Sequence, residues 1–410
     1  MASIKKRKNK DGITSYLIRV SDGYGTDGKQ RKLSMKWIPP HGMSEKRADK
    51  EAEKEALRFE DSVKRGMATL GNTRIEEFSK IWLAKHVHPN LKRKTASEYE
   101  KRLERINQAL GHKKLRDLRT KHLNEFYLNL QEDGMHKRTG GKLSSETVRT
   151  YHRIVSSLLG YAVSEELILF NPAQNATLPR QDKKEAPHLD ETESRRLLEL
   201  LHDEPIKYRT MITFDLLSGL RRGELLGLRW QDVDFESETI RIVQTLQYVS
   251  GHGLITDTPK NKTSIRELKL SRTAFVLLRE YKDWQDKQRE ICGDYWKNTG
   301  NLVFTGDDGT IVHPDGLTKW FSAFIKRTEL PHVSIHSLRH TYASLMIADG
   351  TPLVVVSKRL GHAQVSTTAN IYAHMIQSAD EKASTVTDKF NDSVIRQSKP
   401  EQENAIMISA

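Results

Sequence analysis

Apolar and polar residues alternate along two short stretches near the start of the chain, 15–21 (SYLIRVS) and 32–38 (KLSMKWI), and a period of two predicts strands. Asp22-Gly23 and Asp27-Gly28 supply turn chemistry between them, and Pro39-Pro40 closes the sheet. From 44 to 65 the chain is rich in Ala, Glu and Lys with a narrow apolar side, the pattern of a solvated helix, and 66–71 reads as a linker. Beyond it the period lengthens. Ile75, Phe78 and Trp82 mark one helix, and Tyr99, Leu103, Ile106 and Leu110 a second. Residues 121–131 make a third, and Val148, Tyr151, Ile154, Val155, Leu158 and Ala162 a long fourth ending before Asn171-Pro172. Thr73 with Glu76, and Thr95 with Glu98, have the spacing of capping boxes for the first two.

After a polar linker at 181–187, Asp190 and Glu193 open a helix carrying Leu197, Leu198, Leu200 and Leu201. Residues 208–217 form the next, which ends at Ser218-Gly219. Strand character returns at 239–249 and 264–270, joined by the lysine-rich turn 258–263 (TPKNKT). A short strand at 301–304, a turn at Asp308-Gly309 and a helix at 314–329 lead into IHSLRHTYASLMIADGTPLVVVSKRLGHAQVSTTANIYAH, residues 335–374. Its spacing puts His336, Arg339 and His340 on one side of a helix and Leu338, Tyr342, Leu345 and Met346 on the other, with the polar edge outward. Gly350 and Pro352 end that helix, and a second, 353–360, stops at Gly361. The tail is polar apart from a weak apolar row at Val386, Phe390 and Val394.

These patterns predict a multidomain α+β protein. A small β-sheet plus helix module spans 1–70, an all-α domain 72–180, and a mainly α domain with a small antiparallel sheet 186–378; residues 379–410 form a tail. At 410 residues the chain is too long for one core. No run approaches the 18 or more apolar residues of a membrane span. The opening MASIKKRKNKDG has charge but no apolar stretch behind it, so a cytoplasmic protein without membrane association is expected. Cys292 is the only cysteine, which excludes an internal disulfide and a cysteine-based metal cluster.

Charge sharpens the division. The net +13 is distributed as +7 over residues 1–70, +9 over 71–184 and −3 over the rest. A polyanion would be gripped by the first two segments and worked on by the third. Lys92, Arg93, Lys94, Lys101, Arg102, Lys113 and Lys114 crowd the polar positions of the helical domain, a larger excess of one sign than solubility needs.

The third segment offers Arg221, Lys260, His336, Arg339, His362 and Tyr372. Asp232 and Asp234 read as turn residues beside Trp230. No Glu follows His336 as a zincin helix demands, and Gly219 to Gly223 lacks the Lys-Ser/Thr ending of a phosphate loop. What remains is phosphodiester chemistry with neither metal nor cofactor. Two arginines can hold non-bridging phosphate oxygens bidentately, a tyrosine hydroxyl can attack phosphorus, and a lysine on a turn can protonate the leaving oxygen.

The runs Gly-Leu-Arg221-Arg-Gly-Glu224-Leu-Leu-Gly-Leu-Arg-Trp, His336-Ser-Leu-Arg339-His-Thr, Leu-Gly-His362 and Thr-Thr-Ala-Asn-Ile-Tyr372-Ala-His resemble the boxes of the tyrosine recombinases, especially the integrases of phages and integrative transposons. Four boxes in order are a specific signal, and the likeness covers nearly the whole chain. The resemblance implies an enzyme that cleaves and rejoins DNA through a covalent 3′-phosphotyrosine, integrating and excising a mobile element. By this likeness Arg221 and Arg339 clamp the phosphate, His336 is proton acceptor or phosphate contact, and His362 donates to the phosphate. Tyr372 is then the nucleophile, Glu224 a supporting residue, and Lys260 the general acid, with Lys262 on the same turn as its rival. The resemblance also makes residues 1–70 an arm-type DNA-binding domain and 72–180 a SAM-like core-binding domain. The partners it implies are double-stranded DNA at core and arm sites, further copies of the chain in a tetramer, and an excisionase or host DNA-bending protein. It suggests that the tail docks on a neighbouring protomer. Two other readings compete: a type IB topoisomerase, and a non-catalytic DNA-binding regulator that kept the fold.

Overall fold

The computed structural model describes residues 2–8, 14–24, 30–40, 42–64, 72–137, 139–181, 186–258, 264–297 and 300–372. It falls into two compact units, Met1–Lys183 and Lys184–Ala410. Among the described residues no helix is long and apolar enough to cross a membrane.

The first unit opens with an antiparallel meander of β1 (Ser3–Lys8), β2 (Thr14–Tyr24) and β3 (Gln30–Trp37). Tyr16, Ile18 and Val20 alternate onto the buried face, and α1 (Glu45–Lys64) lays Ala48 and Ala52 over Tyr16. The edge strand β1 has the sequence SIKKRK, which carries almost no alternation. Backbone pairing with β2 makes it a strand, and its charged side chains suit an edge. Asp22-Gly23 is not a turn: it lies inside β2, where the pairing with β3 shifts register between Ser21 and Tyr24. Asp27-Gly28 and the expected linker 66–71 lie outside the described residues.

Helices α2 (Ile75–Trp82), α3 (Arg93–Leu110), α4 (Thr120–Asn129) and α5 (Ser145–Ser164) follow, and the expected apolar rows form their common core around Phe78, Trp82, Leu103, Ile106, Leu123 and Val155. A π-helical segment, Leu83–Val87, extends α2. The two expected capping boxes are displaced. The α2 cap is Arg74, whose amide donates to Glu77 at 3.3 Å, and Thr95 sits within α3, whose cap is Lys92.

In the second unit, α6 (Glu191–Leu201) is capped as expected, with Glu193 N donating to Asp190 Oδ1 at 2.7 Å and Asp190 N to Glu193 Oε2 at 2.8 Å. Next come α7 (Ile206–Ser218), α8 (Arg222–Leu226), β4 (Val233–Asp234) and β5 (Thr239–Ile242). The strand expected over 239–249 is two, β5 and β6 (Thr245–Val249), and β6 forms a hairpin with β7 (Gly253–Asp257). β8 (Arg266–Lys269) returns to complete the order β4-β5-β8. Asp232 is half of an ion pair with Arg229 (2.6 Å), whereas Asp234 does cap a turn, accepting from Glu236 N and Ser237 N. The helix α9 (Arg272–Cys292) went unassigned in the sequence, and residues 301–304 contribute an isolated bridge, Leu302 to Arg229, in place of a strand. Helices α10 (Pro314–Lys326), α11 (Ile335–Ala348), α12 (Leu353–Leu360) and α13 (Val365–Ile371) finish the unit. Its core runs from Leu197 through Phe214, Leu225, Ile240, Leu278 and Phe321 to Leu338.

Candidate active site

Helix α7 ends because Gly219 adopts φ +63°, and the chain turns sharply to start α8 with Arg221 as its cap. Two features make a glycine necessary there: the left-handed backbone, and the Tyr342 ring, which would stand 2.3 Å from any Cβ. Gly361, at φ +66°, ends α12 in the same way and sends the chain to His362. The last carbonyls of α12 then serve as anchors. Arg221 Nη2 donates to Gly361 O at 3.0 Å, and Arg339 Nη2 donates to Leu360 O. Arg339 Nη1 also donates to Gly219 O at 2.9 Å. One helix end therefore holds both guanidiniums. Each commits two N–H groups to its partners here; a guanidinium has about five, so donors remain for an anion.

The polar edge of α11 faces outward only in part: His336 is exposed and His340 half-buried, whereas Arg339 is turned inward. Arg339 is only 3% exposed, held at the meeting of α7, α11 and α12. Burial first, then the neighbouring Arg221 charge, pulls its pKa down to about 9, which still leaves it cationic at neutral pH. Glu224, 1% exposed, supports the pair. Its Oε1 accepts from Arg221 Nη1 (2.6 Å) and Arg266 Nη1 (3.3 Å), and its Oε2 from Arg221 N (3.1 Å) and Arg266 Nη2 (2.9 Å). Burial alone would raise this carboxyl; the Arg266 hydrogen bonds and charge, with Arg221, outweigh it and hold it below the usual range.

Arg266 is a site residue that the sequence reading missed. It donates to Arg359 O (2.8 Å) and Ser264 O (3.0 Å) as well as to Glu224, so it ties the start of β8 to the end of α12. A signal was present: Arg266, Leu268 and Leu270 share one face of a strand, and an arginine in an inward register needs a partner. Asp215, also missed, is fully buried on α7 among apolar neighbours. Neither of its oxygens has a hydrogen-bond partner, and burial pushes its pKa well above the carboxylate range despite the pull of Arg339.

On the other flank, α13 delivers Tyr372, 3% exposed, into a small cluster with Tyr342, Ala343, Val356 and Leu360. Its hydroxyl lies 2.9 Å from His340 Nδ1, and burial, opposed by Arg339, pushes its pKa up to about 12. His362 Nδ1 is 2.8 Å from Thr368 Oγ1. Burial, then Arg339 and Arg221, pulls His362 down to about 4, and the same three causes lower His336. The structure thus gathers Arg221, Glu224, Arg339, His336, His362 and Tyr372. Lys260 and Lys262 lie outside the described residues. Among the described residues, no three His, Cys, Asp or Glu side chains cluster as for a metal ion.

The chain that builds this arrangement is similar in sequence and fold to known proteins. Residues 187–378 match the model of the phage integrase family, and 75–131 that of the phage integrase N-terminal SAM-like domain. The chain belongs to the phage integrase family of tyrosine recombinases. A "Tyrosine recombinase XerC-like" protein of Caldanaerobacter subterraneus subsp. tengcongensis is 26% identical over 401 residues, covering 93% of this chain and 98% of the relative. The "ICEBs1 integrase" of Bacillus subtilis is 27% identical over 70% of this chain and 72% of its own. In fold, the chain resembles the Tn1549 transposon integrase solved with transposon right end DNA, at TM-score 0.64, 21% identity, 77% of this chain and 99% of that one. A lambda integrase dimer bound to a core site aligns at TM-score 0.54 and 16% identity, over 89% of this chain and 93% of that one.

Proposed function

We propose that this chain is a site-specific DNA recombinase that integrates and excises a mobile element, breaking and rejoining strands through a 3′-phosphotyrosine. The observation that carries the reading is the shared anchorage of Arg221 and Arg339 on the end of α12, one short helix before Tyr372. A phosphate seated on both guanidiniums would have its developing charge met by fixed donors that need no reorganisation. Tyr372 attacks phosphorus, His362 donates to the phosphate, and His336 is a phosphate contact or proton acceptor. Glu224 orients Arg221, and Lys260 or Lys262 protonates the leaving oxygen.

The basic residues of 1–70 and 72–180 supply grip on arm and core DNA respectively, with residues 186–378 doing the chemistry. Two basic modules make most sense if they engage two DNA segments at once. The enzyme acts in the cytoplasm as a tetramer on DNA, aided by an excisionase or host bending protein, and the tail 379–410 docks on a neighbouring protomer. Trapping the covalent complex on a suicide duplex and sequencing the junction tests the core of this reading. An adduct at Tyr372 is expected, and DNA relaxation or binding without any adduct would refute it. Deleting residues 1–70 should spare adduct formation on a short core duplex while crippling integration on full-length sites.

A further inference from the structure

Of the three histidines at the site, His340 is the one whose ring nitrogen meets the nucleophile. Its Nδ1 is 2.9 Å from Tyr372 Oη, within the reach of a general base. His362 Nδ1 is engaged with Thr368, and His336 meets the His340 ring edge-on, with centroids 4.9 Å apart. We propose that His340 is the base that takes the proton from Tyr372 during strand cleavage, an inference that rests on the reading of Tyr372 as the nucleophile.

Position favours the role. His340 follows Arg339 on α11, so the element that fixes the buried guanidinium also fixes the imidazole. The groups facing His340 are His336 and Arg339 on its own helix, His188 ahead of α6, His362 after α12, and Tyr372 after α13. Burial, then His336, Arg339 and His188, holds its pKa down to about 4, so it is neutral at physiological pH. The phenol beside it keeps its own proton. The hydroxyl therefore donates, Nδ1 accepts, and the ring proton sits on Nε2.

In the DNA-free site that transfer is uphill. A phosphodiester seated on the arginines brings a negative charge that offsets the Arg339 field, so the imidazole gains basicity only with substrate in place. The step balances. As the Tyr372 Oη–P bond forms and the P–O5′ bond breaks, the phenolic proton passes to His340 Nδ1 and the leaving oxygen takes a proton from the lysine turn. In religation the incoming hydroxyl attacks phosphorus and gives its proton back to the lysine turn, the P–Oη bond breaks, and His340 returns its proton to Tyr372 Oη.

The test is single-turnover adduct formation by the full chain on the suicide duplex, with His340→Asn, His340→Ala and Tyr372→Phe. Asn keeps a hydrogen-bond acceptor near the Nδ1 position without basicity, so an anchoring role would survive it and a proton-accepting role would not. Both His340 variants should slow adduct formation by on the order of 10²–10⁴ at unchanged DNA affinity, and added imidazole should restore part of the His340→Ala rate. A near wild-type rate in His340→Asn, or a folded His340→Ala that imidazole leaves unrescued, overturns the assignment. Should His340→Ala not fold, the Asn variant decides alone at matched DNA occupancy. An adduct surviving in Tyr372→Phe would instead remove the nucleophile reading itself; its loss there, beside an unaffected His340→Asn, removes only the base.

Discussion

On the arginine flank of the site, a single buried carboxylate accepts four hydrogen bonds from Arg221 and Arg266, and Arg221 and Arg339 are pinned to three main-chain carbonyls at two turns. On the tyrosine flank, Tyr372 is held by one side-chain hydrogen bond and a small apolar cluster at the end of a seven-residue helix. Buried ion pairs are poor stabilisers because desolvation consumes most of the Coulomb gain. Their density around Glu224 is better explained by positioning: the proposed chemistry needs a fixed phosphate seat. The same proposal needs a tyrosine that exchanges one partner for another, and a single side-chain hydrogen bond permits that.

Experiments can break this contrast. The largest effect belongs to Tyr372→Phe, which should abolish strand cleavage while leaving DNA affinity nearly unchanged, since grip comes from the basic segments. Gel shift and adduct assays on the same duplex check both halves. Next, Arg339→Lys and Arg221→Lys should each lower the cleavage rate by on the order of 10²–10³, because a point charge cannot hold an anchor carbonyl and a phosphate at once. Near-normal single-turnover rates would show that the fork geometry is dispensable.

Arg266→Gln probes rigidity without touching DNA. It leaves Glu224 buried with one cation, and breaking such a pair costs about 3–5 kcal/mol. Urea denaturation should show that loss, and the cleavage rate should fall less than in the Arg221 variant. Unchanged stability would mean that the Glu224 network is loose after all.

The smallest expected effect is on pH. His340 and His362 sit at about 4 in the folded chain, against an ordinary value near 6.5. The unfolded chain therefore binds more protons in that window. Stability contributed by the neutral rings is complete above about pH 6.5 and is lost as pH falls toward 4. Denaturation midpoints at several pH values should decline on the acid side, and less steeply in His340→Asn. An acid-side slope identical to wild type would sink this account.

The stretch 335–372 was legible because its punctuation is local. Ser334 caps α11, Gly350 and Pro352 separate it from α12, and Gly361 stops α12 where expected. Local rules failed where a distant partner decides. Arg266 and Glu224 are 42 positions apart, and Arg221 finds its carbonyl 140 positions away. Nothing near either residue reveals those contacts. The outward-facing edge expected for α11 fails at Arg339 for the same reason: α7 and α12 cover it, while His336 on that edge is exposed. Helix α9 escaped notice because its apolar row, Ala274, Phe275, Leu278 and Tyr281, stops after two turns. Residues 259–263 of the lysine-rich turn lie outside the described residues, and the strand that precedes them is the unforeseen β7.

Gly219 carries a consequence for how this lineage can diverge. Any side chain there would have to evict the Tyr342 ring, whose hydroxyl accepts from Arg359 at 2.6 Å on α12. Relief at one position would demand simultaneous change at two others, on two further helices. Drift by single steps is therefore closed at this corner.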